Sequence, residues 1–109
     1  MRVELLRFDG CPSADAVLPR LRELVAEAGG DPDAIVVTAV ETAEAAERHC
    51  FLGSPTIRVD GEDVDSGAVA RDDFRLTCRL YRTPDGASGM PLDAWVRAAL
   101  AGAQSRSQR

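Results

Sequence analysis

The chain of 109 residues has no lysine: all 13 of its cationic side chains are arginine, against 18 acids, for a net charge of −5. That balance excludes a nucleic-acid binder of the usual kind, whose affinity rests on neutralising phosphates with a surplus of cations. Arg71, Arg75, Arg79 and Arg82 form the densest basic group, but Asp72 and Asp73 interrupt it, which reads as a solvated face. No apolar run approaches the ~20 residues a membrane helix needs, and no export signal is visible ahead of the first apolar segment. A membrane partner is therefore not expected, and a cytoplasmic location is. Three cysteines without a Cys-x-x-Cys spacing give neither a secreted disulfide framework nor a zinc site, so reduced thiols are predicted. A nucleophile elbow, a phosphate loop and a dinucleotide fingerprint are all missing, and no cofactor is implied. Aromatics are only 5% of the chain. Leu, Val, Ile and Ala must therefore build the single core that a chain of this length supports.

What is present starts at Cys11. It follows an apolar strand-like run at residues 2–8, and Asp9-Gly10 supplies a turn. It opens a helix predicted over residues 12–28: Pro12 suits a first turn, and Leu18, Leu21, Leu24, Val25 and Ala28 recur at helical spacing. Pro19 lies inside that pattern and should bend the axis. A thiol at a helix N-terminus meets unpaired backbone N–H groups and the positive end of the helix dipole. Both favour the thiolate, which is the nucleophile and the metal ligand. Asp9 and Asp15 oppose a further negative charge nearby.

Gly29-Gly30 with Asp31-Pro32 stops the helix. Residues 34–40 form a continuous β-branched run, predicted as a strand covered on both faces. A short helix is expected over residues 42–50, with Cys50 on its buried face and His49 exposed. Neighbouring positions on a helix point about 100° apart, so this His-Cys pair does not converge on one ion. Residues 56–59 read as a strand and Asp60-Gly61 as a hairpin turn. The return strand begins at Val64, or residues 62–73 are mostly loop. The carboxylates Glu62, Asp63 and Asp65 lack the spacing of a calcium loop. Residues 76–81 alternate, with Leu76, Cys78 and Leu80 on one side, and are taken as the fourth strand; Cys78 there reads as a small buried side chain. Residues 83–89 form a loop. Pro91 opens a last helix that Gly102 ends, leaving residues 104–109 as a disordered tail. The domain so defined spans residues 1–102.

A β-α-β-α order, then two antiparallel strands and a helix, resembles the thioredoxin-like superfamily when joined to three motifs. These are Cys11-Pro12-Ser13-Ala14, Pro19 eight residues after the cysteine, and Phe51-Leu52-Gly53-Ser54-Pro55-Thr56. The resemblance implies an α/β fold with a four-stranded mixed sheet and helices on both faces. It also implies a cis proline at Pro55 beside the reactive cysteine, with the Ser54 backbone free to pair with an extended substrate; Pro12 and Ser13 complete the substrate loop. Ala14 stands where dithiol members carry a second cysteine, so exchange through a Cys-x-x-Cys loop is excluded. Residues 76–83 (Leu-Thr-Cys-Arg-Leu-Tyr-Arg-Thr) are similar to a block in small bacterial thioredoxin-like proteins linked to organomercurial lyases.

The function expected from these residues is thiol–disulfide exchange. Cys11 is the catalytic nucleophile, resolved by an external thiol or by Cys78, and the substrate is a protein or small thiol such as glutathione. Two rivals stand beside it. One is a soft-metal or organomercurial binder using Cys11 with Cys78, since thiolates suit soft ions. The other is a non-catalytic interaction module. Nothing in the pattern sets an oligomeric state.

Overall fold

Strand β1 (Val3–Arg7) is the hinge of the architecture because both of its faces are apolar and both of its edges are paired. The computed structural model describes residues 1–107. After β1 come helix α1 (Pro12–Glu27), strand β2 (Val36–Ala39), helix α2 (Ala43–Arg48), strands β3 (Thr56–Val59) and β4 (Glu62–Asp63), a hairpin of β5 (Tyr81–Thr83) and β6 (Gly86–Ser88), and helix α3 (Asp93–Ser107). The main sheet runs β2-β1-β3-β4. β1 pairs parallel with β2, Leu5 opposite Val37, and antiparallel with β3, Leu5 opposite Ile57. β3 returns through Asp60-Gly61 to β4. Among the described residues the result is an α/β protein with a four-stranded mixed sheet, one parallel pair in it, and three α-helices.

Period-two alternation sends Val3 and Leu5 to one face and Leu6 to the other. The first face packs Val3, Leu5, Ile57 and Val59 against Val17, Leu21, Leu24 and Val25 of α1 and Val96 and Leu100 of α3. The second buries Leu6, Val40, Ala45, Ala46 and Phe51 beneath α2. The α2 helix is short, and Thr42 starts it by accepting from the Ala45 amide at 3.1 Å. α1 continues through Pro19, which is exposed. No helix among the described residues is long and apolar enough to cross a membrane.

Four expectations are corrected. β2 is an edge strand rather than a covered one: Val36 and Val37 are both exposed, because nothing lies beyond it. The fourth strand is β4, reached directly from the hairpin turn; residues 76–80 form no regular strand and make a single bridge, between Cys78 and Ser54. Residues 83–89 are mostly hairpin, with Tyr81 opposite Ser88. Finally, α3 does not stop at Gly102 but continues to Ser107, held by Ala103 in the core, so the expected tail is helical as far as it is described. Residues 108 and 109 of that tail lie outside the described residues.

Candidate functional site

The turn at Asp9-Gly10, with Gly10 at φ 81°, delivers Cys11 to the N-cap of α1. Its thiol does not cap the helix. It is 1% exposed and donates instead to the Ser54 carbonyl, Sγ to oxygen 3.6 Å. Pro12 is exposed in the first turn, and Ala14 is fully buried. Ser13 packs against Gly89, where a Cβ would collide with the serine hydroxyl, so the segment after β6 closes over the start of α1. One of the two acids near Cys11 is neutralised: Asp15 is bonded to Arg7 Nη1 at 2.5 Å, an arginine supplied by β1.

Ser54 is the second anchor. The Ser54–Pro55 peptide is cis. The Ser54 amide donates to the Thr77 carbonyl at 2.9 Å, and the Ser54 carbonyl accepts from the Arg79 amide at 3.0 Å. The same carbonyl oxygen takes the Cys11 thiol. Residues 77–79 therefore lie along Ser54 as a parallel strand would, one strand spacing of about 4.8 Å away, with Cys78 its direct partner. Both backbone groups expected to receive an extended substrate are already taken by the chain itself. The approach is close enough to require glycine at 53, which sits at φ 124°. A Cβ there would lie 2.9 Å from Arg79 Cβ and 3.0 Å from the Thr77 carbonyl oxygen.

The alternation at 76–81 is real but faces the opposite way from the expectation. Arg79 and Tyr81 are buried, whereas Leu76, Cys78 and Leu80 are exposed, Leu80 to 65%. Arg79 goes in because its charge is met. Nη1 donates to Asp63 Oδ2 at 2.6 Å and to Thr56 Oγ1 at 3.2 Å, and Nη2 donates to Asp63 Oδ1 at 3.1 Å. The guanidinium carbon lies 4.2 Å from the Tyr81 ring centroid, and Asp65 adds a carboxylate at 3.7 Å. Only Nε is buried without a partner. Tyr81 is fully buried and donates to the Pro55 carbonyl at 2.6 Å. Burial pushes its phenol well above the ordinary value.

The structure brings Cys11, Ser54 and Pro55 together and surrounds them with Arg79, Asp63 and Tyr81, to which the sequence reading gave no part in the site. The available signal was the acidic group Glu62, Asp63 and Asp65 next to an alternating run containing an arginine. Cys50 is also corrected: α2 ends at Arg48, Cys50 takes a left-handed φ of 52° and is exposed, and His49 is half-buried. Among the described residues no group of three or more His, Cys, Asp or Glu side chains is placed to hold a metal ion. A recess of about 420 Å³ is lined by Met1, Val25, Ile35 and Gln104, and one of about 1220 Å³ runs beside Cys50, Arg58, Asp63 and Trp95; neither is lined by Cys11 or Cys78.

What the arrangement offers chemically is one buried thiol and one exposed thiol placed about a single residue. No family model, curated protein or solved structure matches this chain.

Proposed function

We propose that this chain is a thioredoxin-like thiol–disulfide exchange protein in which Cys11 and Cys78 act as a pair. The sheet order β2-β1-β3-β4 and the cis Ser54–Pro55 peptide beside Cys11 support the thioredoxin-like reading. The observation that carries the function is Ser54: its carbonyl binds the Cys11 thiol, and its backbone pairs with Cys78. The division of labour follows from exposure and reverses the expected one, in which Cys11 attacked and Cys78 resolved, because the Cys11 thiol is 1% exposed. Cys78 meets the substrate because it faces solvent, and Cys11 resolves because it is buried.

In the first step the Cys78 thiolate attacks one sulfur of a substrate disulfide. The substrate S–S bond breaks, a mixed disulfide forms, and one substrate thiolate leaves and takes a proton. Cys11, deprotonated, then attacks the Cys78 sulfur. The second substrate thiol leaves, and the protein holds a Cys11–Cys78 disulfide. The substrate is reduced by two electrons and the protein is oxidised by two; two equivalents of an external thiol, themselves joined into a disulfide, reverse the change. Ala14 has no part in it.

The test uses glutathione disulfide as oxidant. In a Cys50→Ser background, which removes the other exposed thiol, the chain should release two glutathiones and end without bound glutathione. Adding Cys11→Ser should release one and stop at a Cys78–glutathione mixed disulfide, and adding Cys78→Ser instead should make the reaction far slower. A Cys50→Ser chain that stops with glutathione on Cys78 and Cys11 still a thiol refutes the pairing.

A further inference from the structure

Ser54 has been filled from within the chain, and what holds the filling segment in place is one side chain. Residues 75–80 are fastened by three backbone hydrogen bonds: the Arg75 amide to the Phe51 carbonyl at 3.0 Å, and the two on Ser54. Of their outward side chains, Leu80 is 65% exposed and Leu76 39%, and the segment forms no regular strand. A segment so lightly tied belongs to the low-stability end of a fold, where local opening is cheap. Arg79 is the exception. It is 2% exposed, its guanidinium tied to Asp63 and Thr56 and stacked on Tyr81, while neither sulfur bonds to that side chain. Arg79 does not touch substrate. It sets where its neighbour lies: burial of residue 79 in an extended backbone turns residue 78 outward.

We infer that Arg79 is a positioning residue, the clasp of a strap formed by residues 75–80, and that the closed strap restricts Cys11 to reaction with Cys78. This rests on the proposed exchange function and adds its regulation. With the clasp shut, Cys11 is screened from bulk thiols and oxidants, while Cys78 stays on the strap beside Ser54. With the clasp open, the Ser54 amide and carbonyl become free to receive another backbone, and Cys11 becomes open to outside reagents.

The experiment reads access rather than exchange. Reduced protein is pulse-alkylated with iodoacetamide, and the three cysteines are quantified by mass spectrometry. In wild type, Cys11 should alkylate on the order of 100-fold more slowly than Cys78, because strap opening must come first. Arg79→Ala should raise the Cys11 rate on the order of 100-fold, the scale set by removing one partner of a buried ion pair, with Cys78 and Cys50 little changed. Arg79→Lys, which keeps the charge but not the two-pronged contact, should fall between them. Amide exchange distinguishes opening from unfolding: the Ser54 and Arg79 amides should lose protection in Arg79→Ala while those of Leu5 and Ile57 keep it.

Wild type supplies a second reading that does not depend on a variant folding. Cys11 alkylation at low urea should depend weakly on urea, as local opening exposes little surface, and not with the steep slope of global unfolding. A Cys11 that alkylates as fast as Cys78 in wild type, or no faster in Arg79→Ala, overturns the clasp, as does a steep urea dependence. If the access pattern holds but glutathione disulfide yields no Cys11–Cys78 bond, the exchange function fails and the clasp stands.

Discussion

Replacing Asp63 by Asn tests the energetics beneath the site. The carboxylate accepts two hydrogen bonds from Arg79, at 2.6 and 3.1 Å, with the side chains 12% and 1% exposed respectively. An amide of the same shape offers one acceptor and turns an N–H₂ group toward the guanidinium. Arg79 is then left buried with much of its charge uncompensated, a change that typically costs about 3–5 kcal/mol. Asp65, 3.7 Å from Arg79 Nη2, retains part of the compensation, which places the loss near the lower bound, about 3 kcal/mol. Against a total stability of about 5–15 kcal/mol for a domain of this size, that is a large fraction. In urea, with a slope of about 1.5 kcal/mol per molar, the midpoint should fall by about 2 M at unchanged slope. The double replacement Asp63→Leu with Arg79→Met leaves only Asp65 without its cation, at 28% exposure rather than buried, and should recover more than half of the loss. A midpoint within about 0.3 M of wild type for Asp63→Asn (equivalent to about 0.5 kcal/mol at that slope) would refute the claim that this ion pair carries the buried arginine.

The chain has a single tyrosine, so its phenolate absorbance reports Tyr81 alone. Burial raises this phenol above its ordinary value. The neutral form is the one the fold favours, so this contribution to stability is complete below pH ~10 and is lost as pH rises toward the native value. The absorbance should therefore appear together with alkaline unfolding; a titration near the ordinary phenol value in a folded chain would contradict the buried position. Gly53→Ala places a Cβ at φ 124° against Arg79 and Thr77 and should cost on the order of 2–3 kcal/mol in urea unfolding. A neutral result would mean that residues 77–79 do not lie against it.

How far the fold can be read from the sequence depends on how local its causes are. β1, the start of α1 and the Gly53-Ser54-Pro55 bend were legible because turn residues and apolar spacing act within a few positions. β2 was legible as a strand but not as an edge, since a β-branched run looks the same whether or not a neighbour covers it. The face of residues 76–81 was read backwards for a definite reason. Alternation separates two sets of side chains without saying which goes inside, and hydrophobicity favours Leu76, Cys78 and Leu80. Arg79 overrides that preference because Asp63 arrives from a different part of the chain to neutralise it. Gly102 was taken as a helix stop, yet Ala103 packs into the core and carries α3 onward.

The central claim is that Cys11 and Cys78 form one functional pair about Ser54. Trypsin separates the three cysteines, which fall in residues 8–20, 49–58 and 76–79, each bounded by arginines. Mapping the mildly oxidised chain by mass spectrometry therefore reads the connection directly. The account predicts peptides 8–20 and 76–79 joined by a disulfide, with Cys50 still a thiol. A bond from Cys50 to either of the others as the main product, or a fully oxidised sample with Cys11 and Cys78 unlinked, contradicts it.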